Sequence, residues 1–173
     1  MFAMDTRQSR DRRSVRLSNF DYTSAGAYFV TVCTQNRACI LGEVADQNVA
    51  LTISGRIVDE CWRAIPIHFP STTLDVHVVM PNHIHGVIAF KRLSEIQWMN
   101  SVTPKLGDVV RSFKARVSIE VRRLVGNSSV PVWQRNYYER VIRNDEELNR
   151  IRQYIADNPL NWAIDSENPF TSP

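Results

Sequence analysis

The segment from Leu74 to Phe90, LDVHVVMPNHIHGVIAF, restricts the fold of this chain more than any other. Leu74 to Met80 and His83 to Phe90 are strand-length runs rich in β-branched residues, and Pro81-Asn82 between them turns the chain. Residues two apart on a strand point to the same face. His83 and His85 therefore present two imidazoles side by side, as a divalent metal ion requires. Alone, the pair leaves three readings open: a structural zinc, a hydrolase centre, or two hydrogen-bonded side chains. His68 and His77 have no partner at that spacing and read as structural or surface residues.

The flanking sequence supplies layers for this strand pair. Tyr28 to Thr34 reads as a buried strand. Ile40 and Leu41 end in Gly42, and Val49 to Ile53 reads as a second short strand, so a hairpin is expected here. From Ser54 the apolar positions Ile57, Val58, Cys61, Trp62 and Ile65 recur at helical spacing until Pro66. Ser94 to Thr103 reads as a loop. Lys105 to Val125 predicts a long helix with the stripe Leu106, Val109, Val110, Phe113, Val117, Val121 and Leu124, stopped by Gly126-Asn127. Val130 to Ile142 is strand-like. Asn144 is an N-cap with Glu147 placed as in a capping box, Leu148, Ile151 and Ile155 form a stripe, and Asn158-Pro159 closes the helix. The order β-β-α-β-β-α-β-α predicts an α+β domain, a mostly antiparallel sheet covered by helices.

Composition narrows the class. Apolar residues make up 43% and charged residues 23% of 173, which suits one globular domain. No apolar run approaches the roughly 20 residues of a membrane span, and the start, MFAMDTRQSRDRRSVRL, lacks the apolar segment of a secretory signal. Cys33, Cys39 and Cys61 have neither disulfide nor zinc spacing and read as reduced cytosolic thiols. Basic residues cluster in the N-terminal arm and between Lys105 and Arg123, while acids gather at Asp145, Glu146 and Glu147. Such patches suit a polyanion such as nucleic acid, although solvated helix faces carry similar charge.

Tyr154 and Asn158 are four apart and share a helix face. An amide oxygen from Asn158 completes a His-His-Asn set for Mg²⁺ or Mn²⁺, with positions left for substrate oxygens. The Tyr154 phenol then projects toward the same site, as a covalent nucleophile on a phosphodiester requires. The plainer alternative makes Tyr154 part of the core stripe and Asn158 a helix cap.

The segments VVMPNHIHGVIAF, VWQRNYYERVIRNDEELNRI and QYIADNPLNW resemble the REP-associated tyrosine transposases, of the single-tyrosine HUH superfamily. The resemblance runs from about Tyr28 to Trp162, and the joint occurrence of MPNHxHG and YIxxNP carries it. It implies a ferredoxin-like HUH fold, with His83 and His85 as metal ligands, Asn158 as third ligand and Tyr154 as catalytic nucleophile. It also implies nicking and rejoining of single-stranded DNA at hairpin-forming repeats through a 5′-phosphotyrosine, with Mg²⁺ or Mn²⁺ as cofactor. A domesticated, non-cleaving hairpin-binding protein and a water-using metal hydrolase are the alternatives. The expected organisation is a basic arm over 1–20, a catalytic domain over 21–165 and a short tail over 166–173. Candidate DNA contacts are Arg10, Arg12, Arg13 and Arg16 in the arm, Lys105, Arg111, Lys114 and Arg116 on the long helix, and Trp133, Arg135, Tyr137, Tyr138 and Arg140 beyond it. Trp133 and one of the two tyrosines equally suit the core. Tyr137 and Tyr138 are also rival nucleophiles. The expected setting is the bacterial cytoplasm, at the nucleoid, with a monomer favoured over a homodimer and no membrane.

Overall fold

The structure, a computed structural model, describes residues 26–91, 104–126 and 131–170. Four strands form one antiparallel sheet: β1 (Ala27–Cys33), β4 (Thr72–Met80), β5 (His83–Phe90) and β6 (Tyr138–Ile142), in the order β4-β5-β1-β6. β1 and β5 are the interior strands, and their continuous apolar character matches burial on both faces. Pro81-Asn82 joins β4 to β5, with Met80 opposite His83. β1 and β4 run parallel to each other with β5 between them, and the chain between them passes over one face.

Two more strands, β2 (Gly42–Ala45) and β3 (Asn48–Leu51), form a separate two-stranded sheet. The expected hairpin thus exists but is displaced. Gly42 opens a strand instead of ending one, and Asp46 and Gln47, both at positive φ, make the turn. The helix α1 (Ile53–Arg63) follows, capped by the Thr52 hydroxyl on the Gly55 N–H. It ends before Pro66, which sits in the first turn of the short helix α2 (Ile65–His68) instead. The helix α3 (Leu106–Val125) buries its expected stripe except Leu124, which is exposed at the end, and Gly126 closes it in the left-handed conformation. The expected strand over 130–142 is shorter than its pattern: only Tyr138–Ile142 pairs along β1, while Trp133 makes a single bridge to Thr34. The last helix, α4 (Asp145–Asp157), is capped by Asn144 as expected.

Two apolar clusters lie on opposite faces of the sheet. Tyr28, Val30, Val32, Ile84 and Ile88 pack with Val58 and Trp62 of α1 and Val109, Val110, Phe113 and Val117 of α3. Phe29, Val87 and Ile142 pack with Ile151 and Ile155 of α4. An irregularity of register in β4 between Leu74 and His77 lets Leu74 join the first cluster while Val76 and Val78 join the second. The strand alternation places His85 on the α4 side, with Phe29 and Thr31 of β1.

Candidate active site

The neighbours of the two histidines decide which nitrogen each offers. His83 Nδ1 lies 2.8 Å from Asn82 Oδ1. The Asn82 amide nitrogen is already committed, donating to the carbonyls of Arg37 at 3.2 Å and Glu167 at 2.7 Å. Its oxygen can only accept, so His83 Nδ1 carries the proton and Nε2 the lone pair. That Nε2 is buried and has no hydrogen-bond partner among the described residues. His85 Nδ1 lies 2.7 Å from the Thr31 hydroxyl, and its Nε2 lies 3.3 Å from the Tyr154 hydroxyl. The two rings stand 4.4 Å apart, centre to centre. Burial pushes both imidazoles down, His85 well below the usual range with His83 adding to the effect. Both are therefore neutral at pH 7, the form that binds a metal.

Tyr154 projects from α4 onto the histidine strand. Its ring centre is 5.3 Å from that of His85 and 5.9 Å from that of Phe29, yet the residue is 48% exposed. A side chain that touches the site and still reaches solvent is open to a polymer substrate. Burial raises its phenol above the ordinary tyrosine range, as do the Asp165 and Glu167 carboxylates, while the Asn158 side chain pulls it back. The phenol is thus protonated at pH 7, and a nearby positive charge is needed to favour the phenolate. Asn158 caps α4 in helical conformation and is buried, and its Oδ1 has no hydrogen-bond partner among the described residues.

Asp165 joins this group, although no motif in the sequence marks it. The ligand atoms of His83, His85 and Asp165 lie within 4.8 Å of one another. Asp165 stands seven residues past Asn158 in an irregular stretch where no periodicity marks it. The segment after it, expected as a tail, is built into the site: Glu167 and Asn168 are largely buried, and Arg37 pairs with Glu167 at 3.2 Å. Buried lone pairs on His83 and Asn158, with a carboxylate beside them, form a donor set of nitrogen and oxygen that fits a divalent cation. Cys33, the nearby thiol, is pushed up to about 12, chiefly by burial, and is no rival nucleophile.

The remaining expected residues fall into distinct groups. Arg10, Arg12, Arg13 and Arg16 lie outside the described residues. Lys105, Arg111, Arg116 and Arg135 are exposed, although Arg111 also pairs with Asp108 at 3.3 Å. Lys114 is partly buried and donates to the Gln134 and Arg135 carbonyls at 2.7 and 3.0 Å, which pins the chain after α3. Arg140 pairs with Glu147 at 2.6 Å. Trp133 is buried against Phe113, and Tyr137 packs at the edge of the same cluster, away from the histidines. Tyr138 is half exposed on the histidine face, edge-on to Phe29.

Comparison with known proteins places this geometry among others. No protein-family model matches the chain. An uncharacterised protein of Haemophilus influenzae is 38% identical over 167 residues, covering 89% of this chain and 91% of its own length. A second protein of that organism, described as a "Putative REP-associated tyrosine transposase", is 23% identical over 150 residues, covering 83% of this chain and 77% of its own. Among solved structures, a REP-associated tyrosine transposase bound to a REP hairpin superposes with a TM-score of 0.52 at 20% identity, over 79% of this chain and 68% of that one. The α+β architecture, a four-stranded antiparallel sheet flanked by helices, is therefore that transposase fold.

Proposed function

We propose that this chain is a REP-associated tyrosine transposase, as its likeness to relatives of that description supports, and that it nicks and rejoins single-stranded DNA at hairpin-forming repeats through Tyr154. The observation that carries the reading is the convergence of the Tyr154 hydroxyl, 3.3 Å from His85 Nε2, with the unpartnered buried atoms His83 Nε2 and Asn158 Oδ1. Buried polar atoms are seldom left without a good hydrogen bond, so the presence of these two beside Tyr154 supports a site that takes a cation.

His83 and His85 would hold a divalent cation, Mg²⁺ or Mn²⁺, with Asn158 as an oxygen ligand. When bound, the ion polarises the phosphodiester and offers positive charge to the phenolate. The Tyr154 phenol gives up its proton to solvent, its oxygen attacks phosphorus, the P–O3′ bond breaks, and the 3′-oxygen takes a proton from solvent to leave as a 3′-OH. The 5′-phosphate stays on Tyr154. Attack by a 3′-OH on that phosphotyrosine reverses the chemistry and joins strands, so no nucleotide cofactor is consumed. Phe29 supports the Tyr154 ring edge-on and restricts its swing, holding the attacking oxygen near the histidines.

Tyr138, exposed on the same face, offers a stacking surface for an unpaired base, and Lys105, Arg111, Arg116 and Arg135 offer charge to the hairpin backbone. Tyr154 reaches His85 of its own chain, which favours a monomer as the working unit. Action on chromosomal DNA sets the protein at the nucleoid. Incubation with a single-stranded DNA hairpin and Mn²⁺ is expected to give a covalent protein–DNA adduct on a denaturing gel, lost in Tyr154→Phe. An adduct that persists in that variant moves the nucleophile to another tyrosine. Cleavage without any adduct indicates activated water, and binding without cleavage indicates a non-cleaving module.

A further inference from the structure

We infer that Asp165 is a ligand of the same metal ion, so that the site is a His-His-Asn-Asp set closed by the segment after the nucleophile helix. This rests on the reading of a metal-dependent site at His83 and His85. The Asp165 carboxylate is oriented: Oδ1 accepts the Glu167 N–H at 2.8 Å, and Oδ2 lies 3.9 Å from His83 Nε2. That separation is too long for a hydrogen bond. It falls within the roughly 4.2 Å that separates opposite ligands on one small octahedral ion. The full His83-His85-Asp165 set, within 4.8 Å, is only slightly wider, and side-chain torsions cover the difference.

The segment that carries Asp165 is tied down from several sides. Asn82 donates to the Glu167 carbonyl at 2.7 Å, Arg37 donates to the Ser166 carbonyl at 3.0 Å, and Asn168 donates to the Trp162 carbonyl at 2.9 Å. Asn82 therefore holds His83 and the Asp165 segment with one amide group, its oxygen on the ring and its nitrogen on the backbone. Two more buried atoms lie in the same group, on side chains that interact with one another: His83 Nε2 on a fully buried side chain, and Asn158 Oδ1 on one only 3% exposed. A carboxylate offsets part of the charge of an ion buried among neutral donors, and it hardens the set toward Mg²⁺ and Mn²⁺.

Calorimetric titration of the full chain with Mn²⁺, without DNA, tests this. Asp165→Asn preserves shape and the Oδ1 acceptor but removes the charge; it is expected to weaken Mn²⁺ binding at least tenfold, with Asp165→Glu recovering part of the loss. Asp165→His keeps a ligand but softens the set, so the ratio of Zn²⁺ to Mn²⁺ affinity is expected to rise at least tenfold, a change that a packing role would not produce. Melting of the metal-free variants confirms that each is folded. Mn²⁺ binding by Asp165→Asn equal to that of the native chain, while His83→Ala loses it, overturns the Asp165 assignment and leaves the proposed site standing. No Mn²⁺ uptake by the native chain overturns both. The expected weakening in Asp165→Asn and the expected Zn²⁺ shift in Asp165→His, with no covalent adduct when the native chain is given hairpin DNA and Mn²⁺, overturn only the proposed reaction.

Discussion

At the scale of single residues, the candidate site depends on side chains that stand behind the two histidines. Asn82 fixes the tautomer of His83, and Thr31 holds the far nitrogen of His85, so both histidines turn Nε2 to one point. Such partners set ligand orientation in metal sites. Gly86 has a related role. It follows His85, and a Cβ built there falls 2.3 Å from the Trp62 ring. Trp62 is fully buried between α1, α3 and the sheet, packed edge-on against Phe113, and cannot withdraw. Gly86→Ala is expected to destabilise the fold by roughly 2–3 kcal/mol, as overpacking does, read from the urea midpoint. An unchanged midpoint would show that the histidine strand does not need that gap.

At the scale of elements, α4 is held in place by charge as well as packing. The Arg152 guanidinium forms a two-pronged pair with Asp75 of β4, at 2.6 and 3.0 Å, two residues before Tyr154. The hydrogen bonds from Arg152 hold the Asp75 carboxyl below its ordinary range, against a smaller opposing effect of burial. The pair therefore contributes above the unfolded carboxylate pKa of about 3.9 and fades as the pH falls through the lower folded value. Solvent screening keeps such a contribution under about 1 kcal/mol. Asp75→Asn is thus expected to cost little stability but to slow adduct formation several-fold, because α4 loses the anchor nearest Tyr154, the proposed nucleophile. Equal rates in variant and native chain would show that packing alone aligns the helix. α4 was legible in the sequence because its signals agree: Asn144 accepts the Glu147 N–H at 2.8 Å, three acids fill the first turn, and Ile151 and Ile155 reach the core. Glu147 departs from the expected box only by reaching back to the Arg143 N–H, one residue further. Elsewhere local signals conflict. Gly42 has the composition of a stop yet sits in a strand because β2 lies close against β3, where a Cβ would fall 2.8 Å from the Ala50 carbonyl. Trp133 lengthens the apparent strand before β6, but its ring is drawn into the core beside Phe113. Asp165 left no trace in the pattern, because tertiary contacts alone bring it to His83.

At the scale of the whole molecule, the sheet separates stability from chemistry. One face, with α1 and α3, buries most of the large apolar side chains, and the other, with α4, carries the site over a smaller cluster. The candidate donors come from β5, from the end of α4 and from the segment beyond it, and the Tyr154–His85 contact spans 69 residues of chain. An unfolded chain cannot hold these groups together, so a metal that binds them binds the folded state alone. Ligand at a hundred times its Kd then adds about 2.7 kcal/mol to stability. For a domain of this size, each kcal/mol moves the melting temperature by roughly 2–4 °C. Saturating Mn²⁺ is therefore expected to raise the melting temperature by about 5–10 °C, and a chelator to restore the lower value. The double variant His83→Ala, His85→Ala is expected to melt at one temperature with or without Mn²⁺. If that variant gained as much as the native chain, the stabilising ion would be bound elsewhere, and the buried lone pairs of His83 and Asn158 would need another explanation.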